Sequence, residues 1–114
     1  MTFAVRDRPF ARVVTVVKDH QNQIGFLFKK GAVTAIVKDS SAARNGLLIH
    51  HHILEVNGQN VIGLKDEEIL QILKQSERSV SLTIMPSFVF DHLLKHIGSS
   101  KIKKYMDHTI PAEL

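Results

Sequence analysis

Cysteine and tryptophan are absent from the 114 residues, tyrosine occurs once and proline three times. Without cysteine there can be no disulfide, thiolate zinc site, iron–sulfur cluster or cysteine nucleophile, and a reducing compartment suits such a chain. One tyrosine and no tryptophan leave little from which to build a base-stacking platform, so nucleic acid is not an expected partner. No apolar run approaches the roughly 18 residues of a membrane span. Arg6, Asp7 and Arg8 stand where a signal peptide would need its apolar core. There is no G-x-S-x-G, no phosphate loop and no G-x-G, so no enzyme and no cofactor is expected. What remains is an ordinary globular composition, 44% hydrophobic and 23% charged with a net charge of +4. That length fits one domain of roughly 80 to 110 residues with short tails.

The residues divide into clear segments. Residues 1–9, ending at Pro9, read as a linker remnant. Arg12 to Lys18 is rich in β-branched residues and predicts a strand. A polar turn at 19–23 follows, then strands over Gly25 to Phe28 and Ala32 to Val37, with Lys30-Gly31 as a tight hairpin turn between them. Residues 40–48, SSAARNGLL, predict a short helix with a serine near its start and Gly46 at its stop. His52 to Val56 predicts a strand closed by Asn57-Gly58, and Gln59 to Ile62 adds a brief one. Residues 65–76 carry apolar side chains at helical spacing, with acids in the first turn and Lys74 late. Val80 to Met85 alternates as a half-buried strand that Pro86 ends. A second amphipathic pattern, FVFDHLLKHI, spans 88–97, and the chain closes in a lysine-rich tail.

The segment with most to say about chemistry is IGFLF, residues 24–28. A glycine between large apolar residues at a strand entrance lets successive backbone N–H groups converge on an anion. Ile24, Phe26 and Phe28 can line an apolar pocket beside that nest. An anion carried on an apolar side chain is what a protein C-terminus offers, although the same residues also suit a plain buried strand with a glycine bulge. The histidines are less informative. His50, His51 and His52 alternate across a strand. His92 and His96 share a helix face but lack the H-E-x-x-H pattern. Both sets read as surface or packing rather than a metal site.

The running order from Phe10 to Pro86, with Φ-Gly-Φ at the second strand, SSAARNGLL, HHILEVNGQNV and a helix from Lys65 or Asp66, resembles a PDZ domain. RPF at 8–10, KDSSAARNGLL at 38–48, NGQNVIGLKD at 57–66 and MDHTIP at 106–111 closely resemble the second PDZ domain of the syntenin family. The resemblance implies an α+β, mainly β PDZ fold. This is a partly open five- or six-stranded antiparallel barrel or sandwich, capped by two helices and followed by a C-terminal helical extension. The domain then spans 10–87, with the extension over 88–114.

The same resemblance implies roles for individual residues. Ile24, Gly25 and Phe26 would bind a peptide carboxylate. Ile24, Phe26, Phe28, Leu70 and Leu73 would line the pocket for its last side chain. Leu27, Lys29, Asp66 and Leu70 would set groove specificity. Asp66, at the first groove-facing helix position, cannot donate a ring N–H to a Ser or Thr two residues before the ligand's end, so Φ-x-Φ termini are expected. Lys18, Lys29 and Lys65 would meet phosphoinositide headgroups. The implied protein is an adaptor that gathers C-terminal tails of transmembrane receptors and proteoglycans, beside an adjacent PDZ domain. Its place would be the cytoplasm, peripheral at the plasma membrane, and the nucleus. The alternative is a phosphoinositide-headgroup module in which the peptide groove is secondary.

Overall fold

The computed structural model describes residues 10–95. Within them the chain forms β1 (Arg12–Val17), β2 (Phe26–Lys29), β3 (Ala32–Ile36), α1 (Ser41–Arg44), β4 (His51–Val56), β5 (Gln59–Asn60), α2 (Asp66–Gln75) and β6 (Ser79–Pro86). A third helix, α3, occupies 87–95 of the described residues. The strands make one antiparallel sheet in the order β1-β6-β4-β3-β2, with β5 on β4. The sheet does not close, so β1 and β2 lie at its two ends.

Local chemistry explains most boundaries. Lys30 and Gly31 (φ 53° and 78°) join β2 to β3, and Asn57 and Gly58 (φ 50° and 80°) join β4 to β5. Two successive residues at positive φ are what a hairpin turn matching the strands' twist requires. β2 begins at Phe26 rather than Gly25 because Gly25, at φ 84°, lies outside the extended region. α1 is shorter than the predicted 40–48. Ser40 caps it by accepting from the Ala43 N–H at 3.2 Å, and Asn45 ends it. Pro86 is the last residue of β6, paired with His51, and α3 starts directly behind it, one residue before the predicted start at 88. His96 and Ile97 lie outside the described residues, as do 1–9 and the lysine-rich tail.

Two apolar clusters hold the sheet. Val14 and Val16 of β1, Val80, Leu82 and Ile84 of β6, and Ile69 and Leu73 of α2 meet Phe26 and Val33 in the larger one. Leu54, Ile62, Met85 and Phe90 form the smaller, with Val89, Leu93 and Leu94 of α3 packed against it. α3 is therefore seated on the domain through an apolar face. Each fully buried side chain of this size contributes about 1.5–3 kcal/mol.

Candidate functional site: the groove between β2 and α2

The strand at one end of the sheet keeps one edge unpaired among the described residues. Among the described residues β2 pairs with β3 alone. The Val37 N–H donates to the Gly25 carbonyl at 2.8 Å, so that carbonyl faces β3. Alternation along the strand then turns the N–H and C=O of Phe26 towards the open edge. A Cβ on Gly25 would lie 2.8 Å from the Ser40 Cβ, so both the positive φ and the close approach demand glycine there. Ser40 is itself fixed, donating its hydroxyl to the Val37 carbonyl at 2.7 Å while it caps α1.

The loop ahead of Gly25 is shaped by Asp19. One of its carboxylate oxygens, Oδ1, accepts from the N–H groups of Gln21 (2.8 Å) and Gln23 (2.9 Å), and Asn22 adopts φ 64°. A cleft of about 580 Å³ opens beside this loop, and Ile24, Gly25, Phe26, Ser40, Arg44 and Arg78 are among its lining residues. The two arginines are held by backbone carbonyls: Arg44 donates to Asp39, and Arg78 to Lys18 at 3.0 Å. They add positive potential next to the nest. Nothing local in the sequence links residues 44 and 78 to residue 25, so neither arginine stands out before folding brings them there.

Helix α2 lies along β2 outside that cleft, and two side chains pin it there. At its C-terminal end the Lys18 ammonium donates to the carbonyls of Ser76 (2.7 Å) and Lys74 (3.4 Å). At its N-terminal end the Asp66 carboxylate accepts from the N–H groups of Lys30 (2.8 Å) and Gly31 (2.9 Å) in the β2–β3 turn. α2 thus runs antiparallel to β2, one end fastened before that strand and the other after it. Each charge also complements its end of the helix dipole.

The expected pocket residues converge. Phe26 (4% exposed) and Leu73 (0%) share the main core and form the floor, with Ile24 and Phe28 packed against them. The Phe26 and Phe28 rings lie 6.1 Å apart, tilted by 45°. Leu70, one turn from Asp66 on the same helix face, stays 38% exposed on the rim. Leu27 and Lys29 point to the outer face of β2, where Leu27 is 65% exposed.

Two expectations change. Lys18, expected with Lys29 and Lys65 at headgroups, is 1% exposed and its ammonium is engaged by α2, so it does not present a charge to a membrane. Lys29 and Lys65 are exposed, but Lys65 precedes Asp66, Glu67 and Glu68, and its N–H donates to the Glu68 carboxylate at 3.1 Å. Asp66 occupies the expected helix position, but its two oxygens are turned into the β2–β3 turn.

The histidine run supports the sheet. His52 stacks on Phe90 with ring centroids 4.1 Å apart, and its Nδ1 lies 3.0 Å from the Ser87 hydroxyl. Burial lowers its pKa below the ordinary histidine value, against the smaller opposing influence of Asp91 and the Lys30 backbone. The His51 Nδ1 lies 3.0 Å from the Ile49 carbonyl, and the His50 carbonyl accepts from the Ser87 N–H at 2.8 Å.

Comparison with known proteins agrees with this geometry. Syntenin-1 of Mus musculus is 58% identical over 111 residues, which cover 97% of this chain and 37% of that protein. Syntenin-2 of Rattus norvegicus is 50% identical over the same share of this chain and 38% of its own length. The chain thus spans under two fifths of these relatives. Among solved structures, INAD PDZ3 in complex with a TRP channel tail superposes with a TM-score of 0.62 at 21% identity, over 68% of this chain and 87% of that one. The second PDZ domain of Dlg1 from Monosiga brevicollis gives 0.60 at 18% identity, over 66% and 97%. The PDZ domain family profile matches residues 13–85, and the chain belongs to the PDZ domain family.

Proposed function

We propose that the groove between β2 and α2 binds the free C-terminal carboxylate and apolar last residue of a partner protein, the ligand adding as a strand to β2. The observation that carries this reading is the open edge of β2 at Phe26, beside a Gly25 held in its left-handed conformation against Ser40. The N–H groups of Gly25 and Phe26 would grip the carboxylate. Ile24, Phe26, Phe28 and Leu73 would receive the last side chain, and Leu70 and Leu27 would meet side chains further back. An aliphatic rim at Leu70 favours termini of Φ-x-Φ type. Such ligands are the cytoplasmic tails of membrane proteins, gathered by an adaptor that carries further PDZ domains. The syntenin likeness and the tail-bound INAD structure support this direction.

Pocket filling and charge-assisted hydrogen bonds, set against the cost of ordering the peptide, suggest a Kd of about 1–50 μM. The test is one fluorescent peptide ending in Phe-Tyr-Ala, titrated as free acid and as C-terminal amide. Binding of the acid alone supports the reading; equal binding of both overturns it. Vesicles containing phosphoinositide, compared at two salt concentrations, test the alternative of a headgroup module. With Lys18 withdrawn, that alternative rests on Lys29 and Lys65 beside three acids.

A further inference from the structure

The Asp66 carboxylate takes both N–H groups of the β2–β3 turn. Lys30 and Gly31, at φ 53° and 78°, present successive N–H groups on one side, and Oδ2 and Oδ1 accept from them at 2.8 and 2.9 Å. Asp66 is the first residue of α2, so this bidentate contact joins the two walls of the groove at the end opposite the carboxylate nest. The turn is also supported from below. The Gly31 carbonyl accepts from the Ile53 N–H at 2.8 Å, and a Cβ on Gly31 would meet the His52 ring at 3.6 Å.

We infer that Asp66 is a positioning residue that sets the separation of β2 from α2 and does not read the ligand's side chains. A carboxylate held by one backbone N–H on each oxygen keeps about two of its four lone-pair sites, but it cannot rotate to follow a ligand side chain without giving up both bonds. Discrimination at that ligand position then falls to the aliphatic Leu70, one turn further along the same face. The inference rests on the peptide-binding reading for its consequence, though the clamp can be tested without any ligand.

The experiment compares the wild type, Asp66→Asn and Asp66→Ala. Free-acid peptides with Phe, Thr or Lys two residues before the end are titrated, and amide hydrogen exchange at Lys30 and Gly31 is followed in the unliganded protein. Asparagine keeps one acceptor oxygen and alanine keeps none, so the effect should be graded. We expect affinity to fall about threefold for Asn and about tenfold for Ala. The factor should be the same for all three peptides, and exchange should quicken in the same order at both amides. A loss confined to the Thr or Lys peptide overturns the inference, because Asp66 would then be reading the ligand. Unchanged exchange at Lys30 and Gly31 overturns it too, whatever the peptides do. A wild type that does not distinguish free acid from amide defeats the proposed function instead, and the exchange arm still decides the clamp. Asp66→Asn, which keeps shape and one bond, serves as the decisive variant should Asp66→Ala fail to fold.

Discussion

The two ends of the groove are fastened by opposite means. At the nest end a cation, Lys18, is buried and donates to the last carbonyls of α2. At the turn end an anion, Asp66, leaves the first turn of α2 and accepts from the hairpin. Both fastenings follow the helix dipole, yet their settings differ. The nest end is also locked by backbone, through Gly25 against Ser40, and rests on the main core. The turn end is fastened to α2 by one side chain, and below it the Gly31 carbonyl accepts from the Ile53 N–H at 2.8 Å beside His52, itself propped by Phe90 of α3. On the peptide-binding reading, the glycine-locked end would receive the ligand's carboxylate and the end clamped by Asp66 would face residues further back.

The largest effect should come from breaking the glycine-locked end. Gly25→Val forces a β-branched residue to φ 84° and drives its Cβ into Ser40, and we expect peptide affinity to fall by at least about a hundredfold in a titration. Removing the prop under the other end comes next. Phe90→Ala should cost about 3–5 kcal/mol of stability in urea unfolding, because the ring fills the smaller core. Lys18→Met keeps the buried stem and loses the bonds to α2, which should cost about 1.5–3 kcal/mol by the same measurement. The same variant should leave binding to phosphoinositide vesicles unchanged; weaker binding would restore Lys18 to the headgroup reading.

The smallest effect concerns pH. His52 has a folded pKa depressed by burial, so it takes up its proton less readily in the folded than in the unfolded state. Its contribution is complete above the unfolded value near pH 6.5 and is lost as pH falls through that value towards the depressed folded one. Between pH 7.5 and 5.5 the wild type should lose more Tm than His52→Gln. Equal losses would show that the stack on Phe90 does not sense protonation.

Much of this was written in short-range patterns. Lys30-Gly31 and Asn57-Gly58 announce their turns, and the acids at 66–68 with apolar residues at 69, 70, 72 and 73 announce α2. Lys18 shows where such reading misleads. The period of two that buries Val14 and Val16 also points residue 18 inward, but its charge suggests the surface. The carbonyls of Ser76 and Lys74, 58 and 56 residues away, make a buried ammonium tolerable. The Asp66 contacts likewise span 36 and 35 residues, so no local rule could foresee them.

An edge that must stay open also faces every other copy of the chain. Exposed strand edges invite sheet-to-sheet aggregation, and proteins blunt them with short strands, bulges and lysine. β2 has all three: it is four residues long, its register with β3 shifts between Leu27 and Phe28, and it ends in Lys29 followed by Lys30. The six-residue β1 at the far end, RVVTVV, is longer, without a shift in its pairing, and leaves Val13 and Val17 exposed. Among the described residues the β1 edge is blunted differently, by α1: the Ser41 hydroxyl accepts from the Val17 N–H at 2.9 Å, so pairing between copies would meet a helix at one edge and a bulge with lysines at the other.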